Sequence, residues 1–260
     1  MLIMNRFDFI KNWFDTYVDS YFLQDEVYND KITLKKEHSY RVVSNINKLA
    51  ESLELNELDT EIVSCLALLH DVGRFEQLKK YNTFSDNKSE DHALLAVKII
   101  QENDVLKDFN ESEQENILIA IKYHNRLTVP SVDNQTAEMY LKLVRDADKL
   151  DIYKVVTDYY ADIKYNKDKI IELELPDKPA VSKKIYESLM KEKSAEYKYL
   201  NTLADFKLLQ MAWVFDINYK RSYKIIDENA YIKHIYDTMS KSDEVIDVYR
   251  KVKIFLENNL

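Results

Sequence analysis

Glycine is nearly missing from this chain: one residue in 260, Gly73, with only three prolines, Pro130, Pro176 and Pro179. Turns that need a positive φ therefore have almost no residues to build them. That excludes hairpin-rich sandwiches and barrels, glycine-rich dinucleotide loops and P-loops, and the chain is expected to be all-α. A single cysteine, Cys65, leaves no internal disulfide and fits a reducing cytoplasm. Basic residues are outnumbered, 37 against 46 acidic, and the formal charge of -9 repels a phosphate polymer. A nucleic-acid polymer is therefore not an expected partner, whereas a small anion is. Long apolar runs are lacking too. The longest, Ile62 to Leu69, is broken by Ser64 and falls far short of the roughly 20 residues of a membrane span. The N-terminal MLIMNRFDFIKNWFDTY mixes apolar and charged residues within every turn, unlike a signal peptide, and reads as mature, cytoplasmic protein.

What is present repeats at three- and four-residue steps. Val42, Val43, Ile46, Leu49, Ala50 and Leu53 mark a helix beginning near His38. Asp59 or Thr60 can cap the next, and Ile62 to Leu69 make it apolar nearly all round, as in a buried central helix. Ser89 can cap a third, carrying His92, Leu95, Ala96, Ile99 and Ile100. Asn110 with Glu113 forms the signature of a fourth, running to His124, with Pro130 beyond it. A fifth carries Met139, Leu143, Asp146, Leu150 and Tyr153, so Asp146 shares or borders its apolar stripe. Beyond about Tyr165 the stretch NKDKIIELELPDKPAVSKK reads as a loop with room for a short strand. The expected division is a catalytic helical core over 1–165 and a C-terminal helical subdomain over 166–260 packed on it, with Leu203, Phe206, Leu209, Gln210, Trp213 and Val214 at helical spacing.

Four of the five histidines, His38, His70, His92 and His124, fall at helix ends or on core-facing helices of the first 150 residues. Each alone reads as a satisfied core histidine. Carboxylates beside them change the reading. Asp71 follows His70 at the end of the most apolar helix, where an ionised carboxylate is costly unless paired or bound to a cation. Asp146 has no basic partner at i+4, where Leu150 stands. Gly73, two residues after Asp71, is expected to end the buried helix in a conformation that a residue with a Cβ resists.

The ordered set H…HD…H…H…D, met by His38, His70, Asp71, His92, His124 and Asp146, resembles the HD-domain metal-dependent phosphohydrolases. The likeness covers roughly residues 35–155 and includes EHSYRV, LLHDVGRF, SEDHA and RDADKLD. It implies an all-helical HD bundle with additional C-terminal helices. It also implies one metal on His38, His70, Asp71 and Asp146, and a second on His92, His124 and a bridging Asp71. Imidazole with carboxylate suits Fe, Mn, Co, Ni or Zn better than Mg or Ca. Two such ions about 3.5–4 Å apart can hold a bridging hydroxide and clamp an in-line displacement, so no residue nucleophile is required. Asp71, Arg74 and Lys149 are the candidate catalytic residues. Arg41, Arg74, Lys149 and Arg126 are the candidate phosphate contacts, with Lys122 a weaker one. Asp148 and Asp151, two and five residues from Asp146, are assigned to the surface or to support of the site. Phe75 to Asp86 is the candidate loop over the site. Cys65 reads as a buried hydrophobe, His234 as a surface or packing residue, and the C-terminal aromatics as core.

The implied activity is hydrolysis of a nucleotide monoester or diester, or of another small phosphate ester, by a monomer or homodimer. The branch that opens cyclic di-GMP resembles HHE…GYP after the fourth ligand, and YHNRLTVP here departs from it. Two alternatives stand beside hydrolysis: a di-iron oxygenase using the same six ligands, and a non-catalytic ligand-binding HD protein.

Overall fold

The computed structural model describes residues 5–162 and 171–260, and among them are twelve α-helices, three short 3₁₀ turns and no strand. The all-α expectation is met. No described helix is long and apolar enough to cross a membrane. The chain divides into two compact units, residues 1–148 and 149–260. The division falls inside a helix, ahead of the loop that the composition singled out. Of that loop, residues 166–170 lie outside the described residues, and 171–182 form turns and extended backbone without a strand.

The first unit contains α1 (Arg6–Asp19), α2 (Glu26–Ser52), α3 (Glu57–Leu69), α4 (Gly73–Tyr81), α5 (His92–Glu102), α6 (Glu111–Tyr123) and the first half of α7 (Gln135–Asp162). Every residue of α3 from Ile62 to Leu69 is buried, and α1, α2 and α6 pack around it, so it is the central helix its composition implied. Cys65 lies within it, and burial pushes its thiol up to about 12, the behaviour of a small hydrophobe. Arg6 of α1 ties this layer together, donating from Nε to Glu61 at 2.8 Å and from Nη1 to Glu113 at 3.0 Å.

Helix starts are set by side-chain caps, and three differ from the expected ones. Asp25 accepts from the Tyr28 amide at 3.0 Å, so α2 begins well before His38. Asn56 caps α3 by accepting from Asp59 N at 2.8 Å, which puts Asp59 and Thr60 inside the first turn. Asp91, not Ser89, caps α5, accepting from Ala93 N at 2.9 Å. The Asn110–Glu113 capping box of α6 is present in both directions. Phe75 to Tyr81, expected as loop, is helical because Phe75, Gln77 and Leu78 bury one face; only Asn82, left-handed at φ 51°, ends the helix.

Gly73 does not end α3; it opens α4, and its φ is not positive. Its lack of a side chain serves a close approach instead. A Cβ there would stand 2.2 Å from the His92 carbonyl oxygen and 2.8 Å from Ala96 N, both backbone atoms of α5. Backbone contact between α4 and α5 is thus possible at this position only with glycine. Left-handed conformations are carried by non-glycine residues such as Glu54, Asn82 and Asp104.

The second unit holds the rest of α7 with α8 (Lys183–Leu189), α9 (Leu203–Ala212), α10 (Lys220–Glu228), α11 (Tyr231–Asp237) and α12 (Asp243–Asn258). All residues of α9 from Leu203 to Ala212 are buried except Ala204, and α8, α11 and α12 surround it. Asp205, fully buried on α9, accepts from the Ser182 amide at 2.6 Å and the Asn201 amide at 2.9 Å, closing the chain before α8 and α9. Tyr153 and Phe206 are buried and meet Trp213 at 5.9 Å edge-on and 6.4 Å, whereas Trp213, Phe215 and Tyr219, read as core, are half-buried. His234 is exposed.

Gly73→Ala is expected to destabilise the first unit by at least about 1–3 kcal/mol, the usual cost of overpacking against atoms that cannot rotate away. Urea unfolding at neutral pH measures it; a midpoint equal to that of the wild type would show that α4 and α5 part freely.

Candidate metal centre

Five helices deliver one polar cluster. His38 lies on α2, His70 caps the C-terminus of α3, Asp71 follows it, His92 opens α5, His124 caps the C-terminus of α6, and Asp148 lies on α7. The four histidines and Asp71 are buried. His38, His70 and Asp71 form one group able to share an ion, and Asp71, His92 and His124 form another, their ligand atoms lying within 4.8 Å of one another in each.

Asp71 has two faces. Its Oδ2 lies 3.6 Å from His38 Nε2 and 4.0 Å from His70 Nε2, and accepts from Lys35 Nζ at 2.8 Å. Its Oδ1 lies 3.2 Å from His92 Nε2, 3.8 Å from His124 Nε2 and 3.5 Å from Arg74 Nε. Burial opposes its charge, but Lys35, Arg74 and His70 hold its carboxyl well below the usual carboxylate range.

The tautomers follow from the partners of Nδ1. His70 donates from Nδ1 to the Ala67 carbonyl and His124 to the Ile121 carbonyl, each at 2.7 Å. His92 donates from Nδ1 to the Asp86 carboxylate at 2.8 Å. Three Nε2 lone pairs therefore face inward. That of His70 has no hydrogen-bond partner, although it is fully buried, and it faces Asp71 Oδ2 and Asp148 Oδ1, each at 4.0 Å. Those of His92 and His124 stand 3.1 Å apart beside Asp71 Oδ1. Acceptors converging in a dry interior call for a cation, and imidazole nitrogen with carboxylate oxygen is a donor set for a divalent transition ion. Burial lowers the His70 pKa to about 4, which keeps the ring neutral and ready to ligate at pH 7.

The last carboxylate departs from expectation. Asp148 Oδ1 is 3.2 Å from His38 Nε2, and burial's opposition to its charge is outweighed by the hydrogen bond and charge of His38, with His70 adding to them, so its carboxyl is lowered. Asp146 is fully buried, but two residues along a helix turn the side chain by roughly 200°, so Asp146 and Asp148 cannot both face His38. The apolar stripe containing Asp146 is what α7 buries in the core. The site lies toward α2, where Asn45 Nδ2 reaches the Ala147 carbonyl at 3.2 Å.

The expected cations are dispersed. Arg74 is at the site but engaged: Nη1 donates to Gln77 and Asp86 at 3.0 Å each and to the Phe84 carbonyl. Arg41 pairs with Glu37 at 3.5 Å on its own helix, Arg126 with Asp91 at 2.7 Å, and Lys149 with Asp216 at 2.9 Å within the second unit. Lys122 stacks over Tyr123. Three residues at the cluster escaped the sequence reading. Lys35 stands one turn before His38, and only Asp71, brought opposite it by another helix, gives it a role. Asp86 lies in a segment without periodicity. Arg145 donates to the His124 and Arg126 carbonyls, each at 2.7 Å, closing the end of α6.

A family model described as HD domain matches residues 36–153. No curated protein and no solved structure matches the chain.

Because the His70 pKa lies below its ordinary 6.5, the unfolded chain binds more protons there between about pH 6.5 and 4. The stability contributed by the neutral ring is whole above pH 6.5 and lost as pH falls toward 4. Chelator-treated protein is therefore expected to lose stability across that window in chemical denaturation, and His70→Gln to flatten the slope there. An equal slope in the variant would contradict the assignment.

Proposed function

We propose, from the match of residues 36–153 to the model of the HD domain, a superfamily made up mostly of metal-dependent hydrolases, that the chain is a metal-dependent phosphohydrolase acting on a nucleotide or another small phosphate ester. The observation that carries the reading is Asp71, with one oxygen toward His38 and His70 and the other toward His92 and His124. In this reading His38, His70, Asp71 and Asp148 hold one divalent transition ion, and Asp71, His92 and His124 a second. Bound there, the ions supply Lewis acidity toward a phosphoryl oxygen and a water ionised near neutral pH.

The remaining work belongs to side chains of this chain. Lys35 meets the phosphate. Its ammonium carries three donors on a flexible stem, is 20% exposed, and would be free to turn from Asp71 Oδ2 to a substrate oxygen where an ion shares the Asp71 charge. Arg74 is a positioning residue: its guanidinium, engaged by Asp71, Asp86, Gln77 and the Phe84 carbonyl, orients Asp71 and stays in place when substrate enters. Arg126, 41% exposed beyond His124, serves as an outer cation for an anionic substrate. The net charge of -9 supports a small ester over a polymer.

Elemental analysis of the wild type and Asp71→Ala, with phosphate release from nucleotide monoesters and diesters in Mn²⁺, tests the reading. About two transition-metal equivalents and hydrolysis are expected in the wild type, both lost in the variant. Bound metal with no release from any ester would sink it. Lys35→Ala is expected to keep its metal and raise KM roughly tenfold or more, the value of one charged hydrogen bond.

A further inference from the structure

His92 is anchored differently from its neighbours. His70 and His124 donate to main-chain carbonyls of their own helices, which the fold supplies unconditionally. His92 donates instead to a side chain, the carboxylate of Asp86, at 2.9 and 2.8 Å to its two oxygens. Asp86 begins a 3₁₀ turn, Asp86–Lys88, and is held from several directions. Its Oδ1 also accepts from Arg74 Nη1 at 3.0 Å and Gln77 Nε2 at 2.9 Å, and its Oδ2 from Asn125 Nδ2 at 3.3 Å.

We infer that Asp86 is a positioning residue that sets the metal affinity of the His92/His124 half of the centre while leaving the His38/His70 half unchanged. The inference rests on the two-ion reading above. The halves differ in charge: the His38/His70 half faces Asp148 as well as Asp71, whereas the His92/His124 half has only its share of Asp71. A carboxylate behind an imidazole fixes the ring's orientation and makes its other nitrogen a stronger donor. Asp86 thus supplies through His92 the negative charge that this half lacks. His70 and His124 spend their outer nitrogens on the Ala67 and Ile121 carbonyls, and Asp86 reaches the cluster's histidines through His92, so its charge acts on the His92/His124 half.

The test is titration of chelator-stripped protein with Mn²⁺, reading free Mn²⁺ by electron paramagnetic resonance. Asp86→Asn keeps an oxygen to accept from His92 and removes the charge. It is expected to bind the first equivalent as the wild type does and the second about 10- to 100-fold more weakly. Asp91→Asn removes the same charge one residue from His92, where asparagine caps α5 equally well, and is expected to bind both equivalents normally. Asp86→Glu retains the charge and should fall between the two; it carries the comparison if the asparagine variant loses its helical circular dichroism. Unchanged binding of both equivalents in Asp86→Asn, or equal weakening of both, overturns the inference. A wild type holding fewer than two equivalents overturns the two-ion reading itself.

Discussion

The buried carboxylate of Asp71 is the constraint around which the first unit is organised. It lies at the end of the most apolar helix, where its charge is costly unless neighbours neutralise it. Lys35 from α2, Arg74 from α4, and histidines from α2, α3, α5 and α6 all turn toward it. Because groups with opposite demands meet at one residue, small displacements of any helix are felt there. The most exacting contact is the backbone approach of α4 to α5. Glycine at position 73 lets His92 sit against Asp71 Oδ1 at 3.2 Å, and any side chain at that point would push α5 and its histidine away. The single glycine is therefore spent on distance and not on a turn.

Much of this was legible in the sequence for physical reasons. The scarcity of glycine and proline left helices as the only economical architecture, and the apolar run from Ile62 to Leu69 marked the central helix because no face of it could be given to water. Four histidines at helix ends or on core-facing helices, with a carboxylate beside one, marked the cluster. Caps were less legible: Asn56, Asp91 and Asp25 each compete with a nearby residue of similar chemistry, and only the path of the preceding loop decides between them.

The misses share a cause. Periodicity identifies which face of a helix is apolar, but a site at the border of two helices takes residues from the flank. Asp146 lies on the stripe and is buried in the core, while Asp148, off the stripe, meets His38 at 3.2 Å. Lys35 and Asp86 were hidden for a related reason. Their roles depend on what another element brings opposite them, Asp71 for the one and His92 for the other, and spacing carries no information about that. Of the cations chosen for proximity in sequence, Arg41 and Lys149 pair with Glu37 and Asp216, as charged side chains on helix surfaces usually do, while Arg126 pairs with Asp91 beside His92.

Two of the histidines are placed by one device used twice. The last carbonyls of a helix have no partner within it, and a histidine at the C-cap can fill one by donating from Nδ1 three residues back. His70 does this to Ala67 and His124 to Ile121, both at 2.7 Å. The bond fixes the tautomer, and with the tautomer fixed the Nε2 lone pair points beyond the helix end. A group needed to complete the helix is thereby also aimed at the ligand position, so folding and ligand placement are satisfied by the same hydrogen bond. Where the histidine begins a helix instead, as His92 does, no such carbonyl is offered, and the chain has had to bring a carboxylate from a separate turn to do the same work.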